Sequence, residues 1–306
     1  LLFEIDETEL FFLEKNLSAS FPEIKDRIHY LVGDVSDYSK LQQVFSRFSV
    51  DIVFHTAAYK HVPLMEYHPD EALKINVLGT YNVCKVASET GVKRVINIST
   101  DKAVKPKSVM GATKRLGEYI ARAFNEKSET QYISVRFGNV LGSRGSVIPI
   151  FLEQLKKGGP ITVTHPEMRR YFMSIPEAVS LVLEACVIGN GGEIMVLDMG
   201  EPIYISKLAE ELIRLHGLEP NRDVEIVYTG IRPGEKLFEE LLTAEEGTSK
   251  TRHERVFVAN ISKSFEFHEI ERIIDETKKI LSASRSSEMV KEFIFTILNS
   301  KIQVTH

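Results

Sequence analysis

Five short runs rich in Val, Ile and Phe recur through the first half of the chain, and their spacing constrains the fold more than any other feature. They are LLFEI (1–5), HYLVG (29–33), DIVFHTA (51–57), RVINIS (94–99) and YISVRF (132–137). Each gap is long enough for a crossover helix, so the runs can pair as parallel strands with helices on both faces. The clearest helix is predicted over 69–90, with Pro69 near its first turn and Gly91 just past its end, as helix punctuation requires. The predicted class is α/β, a doubly wound parallel sheet with a smaller C-terminal lobe. After about Gly138 the rhythm breaks into Gly-, Pro- and Arg-containing loops. The expected division is a sheet domain over 1–140, completed by about 170–198, a substrate lobe from 141–169 and 199–260, and a helical tail over 261–306.

Composition narrows the classes of function. The 306 residues are 43% hydrophobic and 26% charged, with a formal net charge of −5. That balance is ordinary for a globular protein and argues against a nucleic-acid-coating surface. The most apolar run, 178–188, contains Glu184 and is too short to span a bilayer, so this chain itself is expected to make no membrane contact. Cys84 and Cys186 are isolated in apolar helical runs. They read as buried free thiols, implying a reducing, cytoplasmic setting. No spacing of His, Cys, Asp or Glu suggests a metal site.

The chemistry concentrates at one strand end. Thr100-Asp101-Lys102 follows RVINIS directly, and a helical run from about Ser108 to Asn125 follows Pro106. Open α/β sheets place their ligands at the carboxyl ends of strands. Met110 and Lys114 are four apart, so they share one helix face beside that end. Asp101 and Lys102 can supply an acid and a base. That work asks Asp101 to hold a proton and Lys102 to give one up, which burial or like-charged neighbours bring about. Met110 cannot exchange a proton, so an alcohol proton would leave through Thr100, Asp101 or a water.

Other pieces fit a dinucleotide pocket. LLFEI ends in Asp6, where the second strand of such a fold uses an acidic residue to grip the adenosine ribose. No glycine-rich phosphate-binding turn follows that strand. We therefore read 1–6 as the second strand of the sheet, with the first βα unit absent from this sequence. The alternative is a plain edge strand with Asp6 on its surface. Asp34, before Val35, can meet an adenine amino group or simply cap a turn. Ala57 and Ala58 close the third run with small side chains that let a flat cofactor approach. Lys60 and His61 follow, and Asn76, polar within an apolar helix, needs a partner that can fix the site backbone. His55 and His165 read as structural.

The segments HTAAYKHVPLMEYHPDEALKINVLGTYNV, GVKRVINISTDKAVKPKSVMGATKRLGEYIA, VRFGNVLGSRGSVIPIF and TGIRPGEKLFEELL together resemble extended short-chain dehydrogenase/reductases of polysaccharide biosynthesis. Within these the chain is most similar to UDP-N-acetylglucosamine 4,6-dehydratases, over roughly residues 1–260. The resemblance implies a Rossmann-like fold, tightly held NAD (NADP being the alternative), a UDP-amino-sugar substrate, a 4-keto-6-deoxy product and a homo-oligomer. In soluble, C5-inverting relatives the helix carries Tyr-x-x-x-Lys. In the larger, membrane-anchored WbpM and CapD type, Met replaces the tyrosine and C5 configuration is retained, which places Met110 with the second group. There Lys114 would hold the nicotinamide ribose. Asn139, Arg170 and Arg232 are candidates for the diphosphate and Glu235 for the uridine ribose. Two other readings stay open: a UDP-hexose epimerase of the same superfamily, and an inactive nucleotide-sugar-binding remnant.

Overall fold

The computed structural model describes residues 1–242, 247–261, 264–283 and 285–300. Strand and helix alternate as expected: β1 (Leu2–Glu4), α1 (Glu7–Ser20), β2 (Tyr30–Val32), α2 (Tyr38–Phe48), β3 (Ile52–His55), α3 (Val62–Tyr67), α4 (Pro69–Ala72), α5 (Thr80–Thr90), β4 (Arg94–Ile98), α6 (Val109–Lys127) and β5 (Gln131–Arg136). Next come β6 (Asn139–Val140), α7 (Val147–Lys156), β7 (Ile161–Val163), β8 (Arg169–Arg170), β9 (Phe172–Met173), α8 (Ile175–Ile188) and β10 (Ile194–Leu197). The last elements are β11 (Ile203–Tyr204), α9 (Ile205–Leu215), β12 (Ile226–Tyr228), β13 (Thr248–Lys250), β14 (Val256–Ala259), α10 (Phe267–Ser282) and α11 (Ser287–Ser300).

The predicted helix over 69–90 is one continuous helical stretch, but Leu73–Gly79 between α4 and α5 winds as a π-helix. It ends where Gly91, at φ 74°, turns its N–H back to the Ala87 carbonyl, a left-handed cap that glycine adopts without strain.

The main sheet has six strands in the order β13-β14-β10-β5-β4-β3. Neighbours from β3 to β10 run parallel, and β14 pairs antiparallel with β10. The sheet is completed by β10, within the expected region, while β8 and β9 lie in small separate ladders. β13 and β14 belong to the sheet, which corrects their assignment to the substrate lobe. Their sequence is short and partly polar, so it carries little strand signal. β1 and β2 form their own two-stranded parallel ladder with no register to β3. Ile52 and Phe54 on β3 consequently stay exposed.

Both faces of the sheet are covered, which is why β4 and β5 read as nearly unbroken apolar runs. One face packs Val95 and Tyr132 against α5, α6, α10 and α11 in the largest apolar cluster. The tail is thus part of the core: Phe265 and Phe267 meet Tyr119 and Phe124 edge-on, with centroids 5.3 and 5.1 Å apart. The other face packs Ile96, Ile133 and Val135 against Leu181 and Ala185 of α8. Burial of each such aliphatic side chain stabilises the fold by about 1.5–3 kcal/mol. A third cluster, Phe151, Ile161 and Ile213 among its members, forms the smaller lobe. Cys84 and Cys186 are buried and free. No helix of the described residues is long and apolar enough to cross a membrane.

Candidate active site

The carboxyl end of β4 turns through a short 3₁₀ segment, Asp101–Ala103, before α6 begins. Ser108 caps α6 by accepting from the Gly111 N–H at 3.1 Å, and Glu66 of α3 accepts from the Val109 N–H at 2.7 Å. These caps satisfy amides that the helix itself leaves open. They aim the first turn of α6, and with it Met110, at the strand end. The fit is close. A Cβ on Gly111 would lie 2.2 Å from the Lys102 carbonyl oxygen, and one on Gly138 would lie 2.9 Å from the Tyr171 Cβ and 3.3 Å from Asp101 Oδ2.

At the centre Lys102 Nζ donates to Asp101 Oδ1 at 2.9 Å and to Asn139 Oδ1 at 3.1 Å. Thr100 Oγ1 also donates to Asp101 Oδ1, at 2.9 Å. Asp101 is fully buried, and its Oδ2 has no hydrogen-bond partner among the described residues. A buried carboxyl oxygen with no partner is costly unless a ligand supplies one. Acid, base and hydroxyl are therefore contiguous at the predicted strand end. Asn139, expected at a diphosphate, is drawn into the same set by its amide oxygen.

Lys114, one turn beyond Met110, is buried, and burial lowers its ammonium to about 8, partly opposed by Glu118. Its Nζ has no hydrogen-bond acceptor among the described residues, so it is free for hydroxyls of a ligand. Burial, then the Lys114 charge, lowers His55 to about 3. A neutral His55 hydrogen-bonds Thr80 Oγ1 at 3.0 Å, which keeps it structural as expected. Met110 is buried in the main cluster. Behind it Glu118 holds Arg136, Arg115 and Ser99, tying α6 to β4 and β5.

Asn76 sits on the π-helical stretch. It accepts from the Tyr59 N–H at 2.9 Å, donates to the Tyr59 carbonyl at 3.1 Å and donates to Thr113 Oγ1 at 3.1 Å. One amide thus pins the backbone after β3 to α6. Ala57 and Ala58 lie at that strand end, half-buried. Partial burial lowers Lys60, and partial burial with the Lys60 and Arg232 charges lowers His61. The Lys60 and Arg232 charges therefore both reach His61. At the ends of the small ladder Asp6 caps α1 through Glu9 N–H at 3.1 Å. Asp34 accepts from Ser36 N–H at 2.7 Å, and Val35 is buried. Both aspartates hold the strand-end positions expected of them while also capping.

The 232–240 segment closes the other side. Arg232 and Glu235 pair at 2.6 Å with each other. Lys236 Nζ donates to the Val104 carbonyl at 2.8 Å, anchoring the segment on the turn after Asp101. Arg170 is 8% exposed and donates to the Arg169, Leu237 and Lys236 carbonyls at 2.7, 3.1 and 2.8 Å. Its guanidinium thus holds the 236–237 backbone of the segment that carries Arg232 and Glu235. Glu66, Lys236 and Glu239 are the residues that sequence reasoning missed. The long motif around Arg232 contains Lys236 and Glu239, but nothing in it says that they face β4. Among the described residues no cluster of three or more His, Cys, Asp and Glu can hold a metal ion.

The family model described as "Polysaccharide biosynthesis protein" matches residues 1–261. The chain belongs to this family. Among its curated relatives is capsular polysaccharide biosynthesis protein CapD of Staphylococcus aureus, 49% identical over 254 residues, covering 82% of this chain and 42% of CapD. A UDP-glucose 4-epimerase of Rickettsia rickettsii is 41% identical over 223 residues, covering 72% of this chain and 63% of that protein. The chain spans 42% and 40% of the length of two of the polysaccharide biosynthesis relatives, CapD and the probable EpsC of Bacillus subtilis. Among solved structures, Pen from Bacillus thuringiensis superposes with a TM-score of 0.77 at 34% identity, covering 90% of this chain and 88% of that one. A dTDP-glucose 4,6-dehydratase from Streptomyces venezuelae, with NAD and TYD bound, has a TM-score of 0.66 at 21% identity over 80% of this chain and 88% of its own. That likeness shows the Rossmann-like fold. By sequence the chain is related to a protein named as a UDP-glucose 4-epimerase.

Proposed function

We propose that this member of the polysaccharide biosynthesis family is a UDP-N-acetylglucosamine 4,6-dehydratase of the C5-retaining type. The observation that carries the reading is the contiguous set Thr100, Asp101, Lys102 and Asn139 at the β4 end, with buried Met110 on the first turn of α6. The residues fit a nicotinamide dinucleotide at its nicotinamide end: Lys114 is a buried cation without an acceptor among the described residues, and Ala57 and Ala58 put small side chains after β3. Among the described residues no glycine-rich strand-to-helix turn is present for the pyrophosphate, so no contact to that part is assigned. Asp6 and Asp34, which follow β1 and β2, are the residues we assign to the adenosine end.

A bound NAD supplies the transient oxidation at sugar C4 and the matching reduction at C6. The chain's residues manage the protons. Thr100 Oγ1 takes the C4 hydroxyl proton toward Asp101, to which it is already hydrogen-bonded. Asp101 gives the proton it received to the departing C6 hydroxyl, releasing water, while Lys102 takes the acidified C5 proton and returns one to C5 as C6 is reduced. Both groups, 2.9 Å apart, thus end in their starting states. Arg232 holds the diphosphate and Glu235 the uridine ribose. The Asn139 amide nitrogen remains free to donate to the diphosphate while its oxygen orients Lys102.

The relationship to the Rickettsia epimerase favours a second reading, C4 epimerisation without elimination. An acid–base pair placed for loss of a C6 hydroxyl has no task in that reaction. The full-length protein, incubated with UDP-N-acetylglucosamine and NAD in heavy water, is expected to release a product lighter by one water with deuterium at C5. A product of unchanged mass and inverted C4 would establish the epimerase, and binding without turnover would mark a remnant.

A further inference from the structure

Glu239 is a buried carboxyl for which the chemistry above has no use. Its side chain is 4% exposed, and Oε2 has no hydrogen-bond partner among the described residues. It lies within electrostatic reach of Lys102 and Asp101 from the β4 turn, Arg170 from β8 and Lys236 from its own segment. Glu239 Oε2 lies 3.7 Å from Lys236 Nζ and, like Asp101 Oδ2, has no hydrogen-bond partner among the described residues. The segment that brings Glu239 there carries Arg232 and Glu235 at its other end. It is tied to the turn by Lys236 on the Val104 carbonyl at 2.8 Å, and more loosely by Lys105 and Glu240 at 3.9 Å. Arg170 fixes the carbonyls between.

We propose that Glu239 is a positioning residue of the Asp101–Lys102 pair, through which the substrate-holding segment sets the placement and charge balance of acid and base. The inference rests on the dehydratase reading and deepens it. Burial, with Asp101 adding to it, raises the Glu239 carboxyl against the pull of Lys102, Arg170 and Lys236. A carboxyl held so can carry or release a proton as the charge beside it changes. Partial burial, then the Glu201, Asp101 and Glu240 charges, raises the Tyr171 phenol. A substrate that draws Arg232 onto its diphosphate would move this segment, and Glu239 carries the movement to the proton-transfer pair.

The test is Glu239→Gln in the full-length protein, assayed by water loss from UDP-N-acetylglucosamine across a pH series. The expected result is kcat lower by about 10- to 100-fold, as for a misplaced reacting group, with KM within about twofold of the parent. The pH profile should change shape, and Glu239→Asp should restore part of the rate. Superposable profiles and equal kcat would overturn the proposal, as would a parallel fall in kcat, KM quality and melting temperature. If Glu239→Gln does not fold, Lys236→Gln must give the same kcat-selective loss, and an effect on KM alone overturns the proposal. A parent that releases no water removes the dehydratase reading and this inference with it. An active parent beside an unchanged Glu239→Gln removes only the inference.

Discussion

Two ion pairs of similar length sit in different media. Lys102 and Asp101 are 2.9 Å apart with side chains 17% and 0% exposed, whereas Arg232 and Glu235 are 2.6 Å apart with Arg232 55% exposed. The first is fixed by Asn139 and Thr100 and shielded from water. The second joins an exposed arginine to a mostly buried carboxylate that also accepts from the Arg232 N–H, and pairs open to solvent contribute about 0–1 kcal/mol. On the dehydratase reading the difference separates two tasks: the buried pair transfers protons, and the exposed Arg232 guanidinium is open to a ligand. Chemistry and affinity should therefore respond to different mutations.

The strongest break is Lys102→Ala. Water loss should fall by about 10²–10⁴-fold, the range for a lost acid–base group, while UDP-sugar affinity measured by calorimetry stays near the parent. Full activity in Lys102→Ala would end the assignment of the base. Gly111→Ala comes next, because its Cβ must displace the Lys102 carbonyl. We expect a loss of about 1–3 kcal/mol in denaturant unfolding and a lower kcat with the acid and base both present. Unchanged stability would mean that the turn and α6 are not in close contact. Arg232→Ala should weaken UDP-sugar binding by about 1.5–3 kcal/mol, as for a lost charged hydrogen bond, and leave kcat nearly unaltered. Equal affinity would remove Arg232 from the site.

The smallest effect sharpens the comparison from the stability side. Lys114, lowered from 10.5 to about 8 by burial, binds its proton less well folded than unfolded. Stability therefore rises with pH between about 8 and 10.5, and below 8 the whole penalty is present. Lys114→Met should stabilise the ligand-free protein by about 1–3 kcal/mol at pH 7, with the gain closing as pH passes 10. A gain that does not depend on pH would show that burial of the charge is not its source.

The legible parts of the site were those set by local geometry. A strand end supplies Thr100, Asp101 and Lys102, and a four-residue helical step supplies Met110 and Lys114. Asn76 was legible because an amide in an apolar helix demands a partner, although Tyr59 as that partner was not. What stayed hidden was long-range. Glu66 reaches Val109 across 43 residues and Lys236 reaches Val104 across 132, distances that no periodicity encodes. The carbonyl bonds of Arg170 were hidden for the same reason, since the Lys236 and Leu237 carbonyls lie 66 and 67 residues along the chain. For the fold, the parallel core was read from its apolar runs, whereas the short, partly polar β13 and β14 were not.

Asn76 has a mechanical consequence. Its side chain grips the Tyr59 peptide on both edges and α6 through Thr113, so those two walls of the cleft move as one body. A bulky ligand cannot enter by prising them apart. The opposite wall is the 232–240 segment, held by the Lys236 and Arg170 side chains and by the Arg169 N–H on the Leu237 carbonyl, and entry and product exit should be timed there.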